Sequence, residues 1–149
     1  MRILFIDDNE DLRSLMSLVL TRQNYEVKVA ASAESALKLC PEWQPQIVIS
    51  DISMPGRDGY ELIHLLRADG RLAPFRAIAL TGFSLLSDKN RALCAGFDEC
   101  LTKPLDFSLL FDILNSLSAS LSPDFIAREQ TEMSRVADLD SDFTRFSSR

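Results

Sequence analysis

The sequence predicts an α/β protein built on a doubly wound, five-stranded parallel sheet. Two observations carry that prediction. Five short apolar runs recur, at residues 3–6, 27–30, 47–49, 77–80 and, more weakly, 100–101, and they do not alternate with polar residues, as expected of parallel strands covered on both faces. Between them lie segments with helical spacing, so strand and helix alternate five times with short connections.

Taken in order, the first run, "ILFI", stops at Asp7 and Asp8, and the helix after it carries Leu12, Leu15, Met16 and Val19 on one stripe. The second run leads through Ser32, an expected N-cap, into a helix marked by Ala33, Ala36, Leu37 and Cys40. The third run ends on Asp51 and breaks into Met-Pro-Gly before a helix marked by Leu62, Leu65 and Leu66. The fourth precedes Thr81 and a helix marked by Leu86, Ala92, Leu93 and Ala95, which Gly96 terminates. The fifth precedes Lys103 and Pro104 and a last helix over about 105–117. On that helix Phe107, Phe111 and Leu114 are expected in the core, and Leu109, Leu110 and Ile113 widen the apolar face.

At 149 residues, 46% apolar and 26% charged, the chain fits one soluble domain with a tail and is too short for two ordinary domains. Residues 1–120 are expected to form the domain. Residues 121–149, polar with scattered Phe125, Ile126, Phe143 and Phe146, are expected to be a tail or linker, disordered or with one short helix. A net charge of -6 argues against non-specific nucleic-acid binding. No apolar run approaches the roughly 18 residues that span a bilayer, and the start is too brief for a signal peptide. Cys40, Cys94 and Cys100 are odd in number and lack metal-ligand spacing, so they read as free thiols in apolar surroundings. A cytoplasmic protein is expected, without membrane insertion or direct nucleic-acid contact.

In an open parallel sheet, ligands bind beyond the carboxyl ends of the strands. There the sequence gathers Asp7, Asp8, Asp51, Thr81 and Lys103. An unpaired charge inside a covered strand is costly, so Asp51 is expected at an exposed strand end. Three acids in one cleft repel unless a cation joins them, and oxygen donors without His or Cys favour Mg²⁺. With a lysine beside them, the set suits a phosphoryl group, and Asp51 is a candidate nucleophile.

These motifs, "FIDDNE", "SDISMPGRDGYELI", "IALTG" and "GFDECLTKP", resemble in order and separation those of response-regulator receiver domains of two-component signalling, over roughly residues 1–120. The resemblance implies a flavodoxin-like sheet of order 2-1-3-4-5 with five helices. It implies that Asp51 accepts a phosphoryl group from a sensor histidine kinase or histidine phosphotransfer protein. Asp7, Asp8, Asp51 and the backbone carbonyl of Ser53 would hold Mg²⁺, with Asp8 the more direct ligand. Lys103 would pair with Asp51 and then with phosphoryl oxygens, and Thr81 would close onto the phosphate. Such a chain is no enzyme in the ordinary sense. It catalyses its own phosphorylation and dephosphorylation and switches binding to a downstream protein in a two-component or phosphorelay pathway, with a homodimer through the helix 4–strand 5–helix 5 face as a further expectation.

Two departures from the family matter. Cys100 stands where an aromatic switch residue is usual, so coupling to that face is expected to be weaker or to run through Phe97 or Phe83. Ser53 and Phe83 occupy positions that tune phosphate lifetime, and a bulky Phe83 predicts slow hydrolysis. Other readings stand beside this one: a receiver that is part of a larger hybrid kinase or regulator, a phosphorylation-independent binding module, or a small phosphatase or phosphotransferase using Asp51 on an external substrate. Ser53 counts against the phosphatase, which normally needs an acid there as proton donor. His64, among leucines, reads as structural or surface.

Overall fold

Strands β1 (Arg2–Ile6), β2 (Glu26–Ala30), β3 (Ile47–Asp51), β4 (Arg76–Thr81) and β5 (Glu99–Thr102) form one parallel sheet of order β2-β1-β3-β4-β5. Helices α1 (Glu10–Arg22), α2 (Ala33–Trp43), α3 (Gly59–Ala68), α4 (Leu86–Ala95) and α5 (Phe107–Ser120) alternate with them. The computed structural model describes residues 1–82 and 86–121, so the expectations for Phe83 and for the tail lie outside the described residues. Among the described residues no helix is long and apolar enough to cross a membrane.

Period-two alternation sends successive strand residues to opposite faces, which creates two cores. Leu4, Ile6, Val48, Ala77 and Ala79 pack with Ala33, Ala36 and Cys40 of α2, Leu62, Ile63 and Leu66 of α3, and Ala92 of α4. Ile3, Phe5, Ile47, Ile49, Ile78 and Leu80 pack with Met16 and Leu20 of α1 and with Leu110, Leu114 and Leu117 of α5. The middle of each central strand is apolar on both faces because both faces are covered.

The edges depart from that expectation. Along β2 only Ala30 is buried and Val29 is 40% exposed, since an edge strand lacks the second neighbour that would close over it. Several buried helix stripes are narrower than the apolar spacing predicts: Leu15, Leu65, Leu93 and Leu109 are exposed, whereas Ile63 and Leu110 belong to the core. Cys94 is exposed on α4 and is not a core residue, while Cys40 is buried and Cys100 half-buried. His64 is exposed, as a surface residue should be.

Helix starts follow local chemistry. Asn9, Ser32, Asp58 and Asp106 each accept the backbone N–H of the residue three positions on. At the far side of the sheet Asp98 ties β4 to β5. It accepts the Ala77 amide at 2.8 Å and the Arg67 guanidinium at 2.9 Å, and Arg67 also donates to the carbonyls of Phe75 and Gly96.

Candidate functional site

Strand order reverses between β1 and β3, and that is where β1 delivers Asp7 and β3 delivers Asp51. Asp8 follows Asp7, and carboxylate oxygens of Asp7, Asp8 and Asp51 lie within 4.8 Å of one another. From β4 comes Thr81, buried at its strand end, whose carbonyl accepts the Lys103 amide at 2.7 Å. That pairing extends the β4–β5 ladder by one step and brings Lys103 to the acids, next to a cis Lys103–Pro104 peptide. All five expected residues therefore lie at the carboxyl edge of the sheet, where the side chains of Asp7, Asp8, Asp51 and Lys103 meet.

Their burial corrects one expectation. Asp51 is 5% exposed and Asp7 fully buried; Asp8 alone of the three acids faces solvent. The cost of sinking charge is offset in part by local partners. Lys103 Nζ donates to Asp7 Oδ2 at 2.9 Å and stands 3.5 Å from Asp51 Oδ2, so the lysine pairs more tightly with Asp7 than with Asp51. Asp7 Oδ1 accepts the Asn9 amide at 2.9 Å, and Asp51 Oδ1 accepts the Ser53 amide at 3.3 Å. Among the described residues, no buried side-chain N or O atom lacks a partner.

Burial pushes the Asp51 carboxyl above the usual range, and the nearby Asp7 charge pushes the same way. Lys103 and the Ser53 amide only partly offset them. For Lys103, burial works against its charge, but the hydrogen bond to Asp7 and the charges of Asp51 and Asp7 outweigh it and hold the ammonium above its ordinary value. The result is a lysine fixed as a cation beside a carboxylate that a second cation would relieve. Hard oxygen donors with one solvent-facing acid fit a small divalent ion such as Mg²⁺, which keeps several waters.

Three contacts were not foreseen from the sequence. Arg13 of α1 donates to the Asp7 carbonyl at 2.8 Å and fixes the acidic pair from behind. Arg57, in the loop after Asp51, pairs with Glu34 of α2 at 2.9 Å. Gly59 opens α3 directly against the Asp51 carbonyl, where a Cβ would lie only 2.5 Å away. The Asx-type cap at Asn9 had a readable signal in its position before Glu10 and Asp11. Arg13 had none, because a helical arginine is ordinarily a surface residue. Phe97 is buried at 4% exposure, which fixes it in the core.

Fold and pocket together define a class: flavodoxin-like α/β domains with an acidic cluster and a lysine at the carboxyl edge of the sheet. The response regulator receiver domain model matches residues 3–115, and the chain belongs to that family. It is 36% identical over 124 residues to an uncharacterized 14.6 kDa protein of Leptolyngbya boryana, covering 83% of this chain and 95% of that one. It is 33% identical over 105 residues to the DNA-binding dual master transcriptional regulator RpaA of Synechocystis, covering 70% of this chain but 44% of RpaA. The Thermotoga maritima response regulator TrrA, solved in complex with Mg²⁺-BeF, superposes with a TM-score of 0.68 at 31% identity, covering 78% of this chain and 97% of TrrA. The chain is thus a receiver domain of the kind found in two-component response regulators, a signalling module.

Proposed function

We propose that Asp51 accepts a phosphoryl group from a phosphohistidine on a sensor kinase or phosphotransfer protein, and that the modified domain switches binding to a downstream protein. The observation that supports this most is the Asp7–Asp8–Asp51 cluster with Lys103 across it. Asp7, Asp8, Asp51 and the Ser53 carbonyl would hold Mg²⁺, which supplies charge neutralisation for the phosphoryl oxygens. An Asp51 carboxylate oxygen forms the new bond to phosphorus as the bond from phosphorus to the donor imidazole nitrogen breaks, and the freed imidazole keeps its electron pair. Lys103 holds its ammonium toward the equatorial oxygens, and the Thr81 hydroxyl donates to one of them after transfer. The protein turns over no external substrate.

Residues 1–120 are the functional unit in this reading, acting in the cytoplasm, with 121–149 an appendage. Similarity to regulators of which the chain spans less than half favours a second reading, in which the domain serves within a longer regulator. Intact mass after incubation with a small-molecule phosphodonor, with and without Mg²⁺, tests the chemistry. Wild type should gain one phosphoryl group only with Mg²⁺, and Asp51→Asn none. An unmodified wild type that still binds Mg²⁺ would leave a phosphorylation-independent binding module.

A further inference from the structure

Gly59, Tyr60 and Arg91 form a continuous path from the acceptor aspartate to α4. Gly59 sits on the strand end: its amide donates to the Ile52 carbonyl at 2.9 Å, and a Cβ there would stand 2.5 Å from the Asp51 carbonyl and 2.9 Å from Ile52 Cα. The lack of room for a Cβ and the hydrogen bond to Ile52 seat the start of α3 directly on this strand end, so a main-chain displacement at Asp51 is passed to the first turn of α3. The next residue, Tyr60, is half-buried and packs against the core shared by α2, α3 and α4. Over its ring, 4.2 Å from the centroid, lies the guanidinium carbon of Arg91, on the exposed side of α4.

We propose that Tyr60 and Arg91 are a latch through which α4 reads the state of Asp51. This rests on the phosphorylation reading above. Two kinds of contact hold α4. Ala92 is locked in the core, and the Phe97 amide that closes the helix bonds to the Ala92 carbonyl, so this attachment is a fixed pivot. The Arg91–Tyr60 stack lies nearer the surface, where a cation–π contact is weak enough to be redrawn when its ring shifts. Cys100 of β5 packs against the same core cluster as Tyr60, and its short thiol adds no ring there. A helix held on its core side by Ala92 and Ala95 and leaning at its rim on a movable ring tilts when that ring moves. Exposed Leu93 and Cys94 ride on α4 and turn with it.

The test is amide chemical-shift mapping on the full chain with Mg²⁺ and beryllofluoride as the phosphoryl mimic. In wild type, amides of residues 51–53 and of 87–95 should both move. In Tyr60→Leu and in Arg91→Gln the shifts at 51–53 should persist while those at 87–95 are lost, and Tyr60→Phe, which keeps the ring, should behave as wild type. Arg91→Gln alters an exposed side chain and carries the test if Tyr60→Leu folds poorly. Unchanged shifts at 87–95 in Arg91→Gln would overturn the latch and leave the phosphorylation reading standing. Absence of shifts at 51–53 in wild type would remove both.

Discussion

Lys103 reaches Asp7 at 2.9 Å and Asp51 only at 3.5 Å, so its ammonium is chiefly the counter-ion of the buried Asp7. Removing it strands two buried carboxylates. Lys103→Met should lower stability by about 2 kcal/mol, less than for a fully enclosed pair because the lysine is partly exposed. Urea unfolding in metal-free buffer measures this, and added Mg²⁺ should return part of the loss. A variant as stable as wild type would show that water already screens the pair.

Asp51 carries the opposite sign. Burial and Asp7 raise its folded pKa above the unfolded value, so the ionised group weakens the fold at neutral pH. The penalty is complete above the folded pKa and disappears as pH falls through it toward the unfolded value near about 4. Asp51→Asn should therefore melt several degrees higher than wild type at neutral pH without divalent metal. The gap should narrow both on acidification and on adding Mg²⁺. Thermal unfolding of the two proteins across pH gives the answer, and a gap independent of pH would mean that the charge is not its source.

Gly59→Ala should cost about 1–3 kcal/mol, because the new methyl meets main-chain atoms that cannot step aside. It should also slow phosphoryl uptake at Asp51, whose carbonyl the methyl strikes. Gly70→Ala meets nothing within 4 Å and should change stability by no more than about 0.5 kcal/mol. Parallel urea curves separate the two.

The three thiols should react in order of access. Burial, with a smaller contribution from the Asp69 charge, pushes the Cys40 thiol up to about 11, so at pH near 8 it is almost wholly protonated as well as enclosed. An aromatic disulfide reagent should label Cys94 first and the half-buried Cys100 more slowly. Cys40 should react only as fast as the protein unfolds. Early labelling of Cys40, located by peptide mass, would contradict its place in the core.

The central fold was legible because β1, β3 and β4 are covered on both faces, and short unbroken apolar runs between helical segments fit little else than buried parallel strands. The edge strands were harder: β2 carries Glu26 and Lys28 among its valines, and β5 is polar at both ends. The gathering of Asp7, Asp8, Asp51 and Lys103 could be read since each stands within two residues of the end of an apolar run. Burial of the site could not. Whether Asp51 faces water depends on residues distant in sequence, Asp7 and Lys103 among them, that gather around it, and no local pattern encodes that closure. Helix faces failed for a related reason. Leucines at Leu15, Leu65 and Leu109 fit the spacing of a buried stripe, but a helix lying on a sheet covers a narrower arc than its apolar residues span.

The acidic pocket draws its groups from the ends of β1, β3, β4 and β5, so no single segment of the chain can assemble it. Any cation the pocket takes is thereby bound by the folded state alone, and its binding energy adds to the stability of the whole sheet in proportion to the logarithm of its concentration. The apparent melting temperature becomes a meter for the ion. A fall in the free concentration of such an ion would loosen the domain and empty the pocket in the same act.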